Sequence, residues 1–145
     1  MATRARTWGA ELCHHGRMSG AERVGSGSPY EQAVGFSRAV RVGPHVLVAG
    51  TAPVWPDGSV DPDPLTQARR CWEIALDALE RLGGHVDQVV RTRQFITDRS
   101  AGAAAAAAHG EIFGAVRPAS TMVVVAGLLD PRWLVEVELD AYLEA

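Results

Sequence analysis

From Arg38 to Val42 the residues alternate polar and apolar, the period of a strand with one buried face. Gly43-Pro44 breaks that run, and His45 to Ala49 forms a second β-rich stretch ending at Gly50, so the pair predicts a hairpin. Pro53 to Pro64 carries four prolines and three aspartates and predicts a loop. Beyond it, Leu65, Ala68, Trp72, Ala75, Leu79 and Leu82 recur at steps of three and four, one apolar face of a helix over 65–82. Asp63 is placed to cap it, Pro64 suits its first turn, and Gly83-Gly84 supplies a left-handed stop. Ile74 falls among the charges of the opposite face and hints at a subunit contact.

Alternation resumes over Val89 to Thr97, with Arg91, Arg93 and Phe95 on one face. Asp98 is positioned to cap a second helix running through the six alanines to about Phe113. Alanine favours helix yet offers little side chain to bury, so this helix must lie close to its neighbour. Met122 to Ala126 and Leu134 to Leu143 predict the last two strands. In the final strand Glu136, Glu138 and Asp140 oppose Val135, Val137 and Leu139. The order is β-β-α-β-α-β-β, an α+β fold with a mixed sheet, hairpins at both ends and two helices on one face. Its other face carries Arg91, Arg93 and the three acids, an arrangement that small domains often cover by oligomerising.

Composition narrows the class. The 145 residues fit one domain, and a 47% hydrophobic content can build a core. No apolar run approaches the length of a membrane span, and two cysteines cannot make a disulfide scaffold. A net charge of −3 gives nothing to hold nucleic acid, so RNA cleavage is a weak reading. All 14 basic side chains are arginine, so lysine nucleophiles and Schiff bases are excluded. The absence of Lys and Asn, with abundant Ala, Gly, Val and Arg, suits a GC-rich bacterial source.

Residues 1–28 show no hydrophobic period and no secretory signal, so they read as a flexible extension preceding a domain over 29–145. Met18 is a plausible alternative start. Cys13-His14-His15 has no second ligand cluster at a suitable spacing, so no metal site is expected. Cys71 sits at the edge of the first helix's apolar face and reads as a small core residue. His109 falls late in the second helix, where a cation is favoured, and a catalytic role is the minor reading.

Five strings, in order, resemble the Rid family (reactive intermediate deaminases, also called YjgF or endoribonuclease L-PSP-like): Gly35 to Gly43, Val48 to Pro53, Val89 to Asp98, Arg117 to Val123 and Leu134 to Glu138. The resemblance implies a chorismate-mutase-like fold and a cytoplasmic homotrimer. It also implies a small-molecule pocket between adjacent subunits, no metal or organic cofactor, and hydrolysis of an imine or enamine to a carbonyl compound and ammonia. Two departures stand out. Deaminating members carry Arg after the Pro-Ala of the fourth string, where this chain has Ser120, and Tyr in the first string, where it has Phe36. The family's acid is retained as Glu136. The candidate catalytic residues are therefore Glu136, to orient water, and Ser120. The candidate binding residues are Ser120, Thr121, Phe36 as an apolar wall, and Arg93 as a substitute for the absent carboxylate clamp. The alternative is a non-catalytic, ligand-binding or regulatory trimer that has lost deaminase activity. Glu136, Glu138 and Asp140 pairing with Arg91 and Arg93 across the sheet is the structural alternative to a direct role.

Overall fold

The computed structural model describes residues 20–144. Six strands form one sheet: β1 Ala21–Val24, β2 Ala39–Val42, β3 His45–Thr51, β4 Val89–Ile96, β5 Ala119–Val124 and β6 Val135–Tyr142. The helices are α1 Pro29–Val34, α2 Pro64–Glu80 and α3 Gly102–Phe113. The strand order is β1-β2-β3-β6-β4-β5. All neighbours are antiparallel except β4 and β5, which run parallel.

The local causes of these elements lie in the sequence. Gly43 takes a φ of 57° to turn β2 into β3. The Asp63 side chain accepts a 2.8 Å bond from the Thr66 backbone N–H and opens α2, with Pro64 in its first turn. Gly83, at a φ of 84°, ends that helical stretch. Asp98 caps a 3₁₀ turn over Arg99–Ala101 that leads directly into α3.

α2 and α3 cover one face of the sheet. Ala68, Cys71, Trp72, Ala75, Ala78 and Leu79 of α2 are buried against Val46, Val135, Val137 and Leu139. Each large side chain buried there contributes about 1.5–3 kcal/mol. The alanines let α3 approach α2 closely, with Ala105, Ala108 and Phe113 buried at the contact. Trp72 meets Phe113 edge-on at 4.9 Å. On the surface of this helix pair, Arg69 grips Glu111 with two bonds of 2.9 and 2.6 Å. Buried Gln67 ties α2 to the chain before β6: its amide nitrogen donates to the carbonyls of Asp61 and Arg132, and its oxygen accepts from Leu134.

Two expectations are corrected. The last two strands do not form a hairpin. β6 lies between β3 and β4, while β5 is an edge strand beside β4. Parallel neighbours need a crossover, and α3 supplies it between β4 and β5. The segment 125–134 is then long enough to carry the chain across β4 to the centre of the sheet. The expected extension over 1–28 also ends sooner than its composition suggests. Ala21–Val24 pairs with Val42–Ala39, and Ser28 caps α1 by accepting from the Tyr30 backbone N–H. The Cys13-His14-His15 string and the Met18 start lie outside the described residues.

Candidate functional site

Among the described residues, the sheet face away from α2 and α3 has no layer over it. Register places three rows of side chains there. Arg23, Val40, Leu47, Asp140 and Arg91 form one row. Glu138, Arg93 and Thr121 form the second, and Glu136, Phe95 and Val123 the third. A cavity of about 540 Å³ opens onto this face, with Phe36, Ser37, Ala49, Arg93, Glu138 and Asp140 in its wall.

Of the candidate residues, Phe36 and Arg93 line this cavity. Glu136 and Thr121 share its face of the sheet. Ser120 is in register with Thr92 and so belongs to the helix-side face of β5, where it is exposed because β5 is an edge. Arg93 is already engaged: its Nη1 donates to Glu138 at 2.9 Å and lies 3.5 Å from Asp140. The cross-strand pairing weighed against a direct role thus holds for Arg93, Glu138 and Asp140. Glu136 makes no ion pair within 4 Å among the described residues.

Glu136 sits half-buried where β3 is irregular between Val48 and Thr51. Gly50 occupies that irregularity, and a Cβ there would strike the Glu136 carboxylate. Glycine at 50 therefore lets β3 close on the acid. Burial pushes the Glu136 carboxyl above its ordinary 4.5; Arg38 pulls it down and Glu138 adds to the rise.

The sequence reading did not single out Arg38. Its Nη2 donates 2.6 Å to the Gly50 carbonyl, and its guanidinium lies 5.9 Å from the Phe36 ring centre. Its Nε is buried with no hydrogen-bond partner. Arg38 thus bridges the Phe36 wall of the cavity and the Gly50 backbone that abuts Glu136. The available signal was its place, two residues before Val40, in the alternating run that becomes β2. Arg38 also lies within the Gly35 to Gly43 string, where Phe36 alone carries a candidate role.

His109 and Cys71 belong to the core. His109 Nε2 is 2.8 Å from the Thr92 hydroxyl, and its ring packs on Trp72 and Phe113 at 5.7 and 4.7 Å. Burial lowers its pKa from 6.5, which outweighs the pull of a helix end on a cation. Cys71 Sγ lies 3.5 Å from the Val135 carbonyl, and burial drives its thiol pKa up, so the thiolate nucleophile is unavailable. Among the described residues no group of three or more His, Cys, Asp or Glu could hold a metal ion. No helix among them is long and apolar enough to cross a membrane.

Comparison with known proteins agrees with this architecture. Residues 27–143 match the endoribonuclease L-PSP family. An uncharacterised protein of Streptomyces coelicolor is 40% identical over 121 residues, covering 83% of this chain and 90% of its own. The crystal structure of a Mycobacterium tuberculosis protein of the YjgF/YER057c/UK114 family superposes with a TM-score of 0.78 at 41% identity, over 85% of this chain and 99% of that one. Escherichia coli TdcF with bound serine superposes with a TM-score of 0.73 at 25% identity, over 84% and 94% of the two chains.

Proposed function

The chain belongs to the endoribonuclease L-PSP family, also called YjgF or Rid, and on that premise we propose that it is a homotrimer binding a small organic molecule in clefts between subunits and hydrolysing an imine or enamine there. The observation that carries this reading is Glu136: a half-buried acid, packed against Gly50 on an uncovered face, with its pKa raised by burial above the ordinary carboxyl value. A carboxylate of raised pKa is a better base than an exposed one.

In the proposed step the Glu136 carboxylate accepts a proton from water as the water oxygen bonds to the imine carbon and the C=N π pair moves to nitrogen, and Glu136 returns that proton to the nitrogen; the hydroxyl proton then passes to the nitrogen by the same carboxylate. The resulting carbinolamine collapses, breaking its C–N bond to release ammonia and leave a carbonyl. Phe36 offers an apolar wall. Thr121 and exposed Ser120, on an edge strand, are available to a ligand shared with a second copy. The uncovered face supports assembly: Leu47, Val123 and Tyr142 remain 52%, 42% and 44% exposed, more apolar surface than a lone sheet face usually leaves in water.

One observation favours the second reading, a ligand-binding trimer without catalysis. Ser120 carries no charge and Arg93 is neutralised by two acids, so the expected clamp positions hold no free cation. Serine bound to TdcF supports a small amino-acid-like ligand under either reading. The deciding experiment generates an imine in situ and measures ammonia release with the parent protein and Glu136→Gln. Release that depends on Glu136 supports hydrolysis. Ligand binding without release selects the second reading.

A further inference from the structure

We infer that Arg38 is a positioning residue: it clasps the irregular stretch of β3 against which Glu136 packs, holding that carboxylate in place with a fixed positive charge beside it. The inference rests on the reading of Glu136 as the reactive acid and assigns Arg38 no contact with the ligand.

The β3–β6 register shifts between Val48 and Thr51, so Ala49 and Gly50 have no partner in that ladder. Side chains bond their carbonyls instead. The Thr51 hydroxyl donates 2.8 Å to Ala49, and Arg38 Nη2 donates 2.6 Å to Gly50. Register puts Arg38 on the side of the acid. Ala39 faces Val48, and the Ala49 N–H donates 2.9 Å to the Arg38 carbonyl, which carries the β2–β3 ladder one pair further. Ala39 and Val48 are buried on the helix side, so Arg38 and Ala49 belong to the uncovered face. Glu136, between buried Val135 and Val137, belongs to the same face. A single glycine therefore stands between cation and acid.

A neutral side chain could donate to the Gly50 carbonyl at less expense. A half-buried guanidinium loses solvating water, and among the described residues no carboxylate lies within 4 Å to compensate. Its Nε is buried without a partner. What arginine adds is charge, and the groups around Glu136 leave that charge a role. Glu138, two residues along β6, opposes ionisation of Glu136 and is itself bonded to Arg93, which Asp140 shares. Phe95, the β4 partner of Glu136, is uncharged, and burial keeps the Cys71 thiol of α2 protonated. Glu31, whose field also reaches Arg38, accepts three bonds from Ser26, at 2.9, 3.1 and 2.6 Å. Arg38 is the cation whose field favours the Glu136 carboxylate.

The test is a pH titration by carbon-13 NMR of the full-length protein labelled at the glutamate side-chain carboxyls. The Glu136 signal is identified by its loss in Glu136→Gln. Arg38→Gln and Arg38→Lys are titrated alongside, with melting temperature and oligomeric state recorded for each. Arg38→Gln should move the Glu136 midpoint to higher pH, and Arg38→Lys, which keeps the charge, should move it less. The midpoint of Glu111, bonded to Arg69 across the helix pair, should stay unchanged in both. A folded Arg38→Gln with the parent's Glu136 midpoint overturns the inference, because a merely structural arginine would alter stability alone. If Arg38→Gln does not fold, the parent decides. Its sheltered Arg38 Nε–H resonance should titrate with the Glu136 midpoint and lose that response in Glu136→Gln; a flat response in the parent overturns the inference. If the midpoint moves but the parent releases no ammonia from an imine, hydrolysis falls and the positioning of the acid stands.

Discussion

Glu136 is held at a cost in stability. Its folded-state pKa lies above 4.5, so its ionisation opposes folding. Its stabilising contribution is complete below the ordinary value and is lost as pH rises through the folded one. Glu136→Gln should therefore melt above the parent at neutral pH, with the difference closing toward about pH 4, in thermal scans across that range. The same variant should lose about 10²- to 10⁴-fold in ammonia release, the usual worth of a positioned base. The acid limb of the parent's rate profile should sit above the ordinary carboxyl range, because only the ionised form accepts a proton. His109 shows the opposite sign. Its folded pKa is lowered, so its contribution is complete above 6.5 and is lost as pH falls through the folded value. Melting temperature should fall between about pH 7 and 5, and His109→Gln, which keeps a partner for Thr92, should flatten that slope.

Among the elements, α2 was the most legible, because period, cap and stop all agree over one stretch of chain. Asp63→Ala should cost about 1 kcal/mol by loss of the cap, and Trp72→Ala about 3–5 kcal/mol by opening the core; denaturant midpoints would measure both. Strand partners were less legible. Alternation reveals which residues share a face but not which strand lies alongside, so β5 and β6 read as a hairpin. β1 was missed because four residues between glycine-rich stretches carry too little pattern. The site divided in the same way. Glu136, Phe36 and Arg93 could be found from strings of sequence, whereas the meeting of Arg38, Gly50 and Glu136 depends on β3 lying between β2 and β6. Gly50→Ala probes that meeting directly. Its methyl would displace the Glu136 carboxylate, so ammonia release should drop at least 10-fold while circular dichroism stays that of the parent.

At the scale of the molecule, the uncovered sheet face is what an assembly would bury. Light scattering at micromolar concentration should report a trimer. Leu47→Asp, which places a charge in the middle of that face, should shift the population toward monomer. A monomeric parent would remove the inter-subunit cleft. The strand order carries a consequence for how the chain is made. Among the described residues β6 is the strand that joins β3 to β4, so the ladder between the β1-β2-β3 half and the β4-β5 half runs through Val135–Tyr142. Those residues are the last of the sheet to be synthesised. Until they leave the ribosome, the nascent chain carries two ladders with open edges at β3 and β4 and apolar faces that belong to one core. A message truncated before codon 135 would therefore yield not a smaller domain but two sticky half-sheets, fit for a chaperone or a protease.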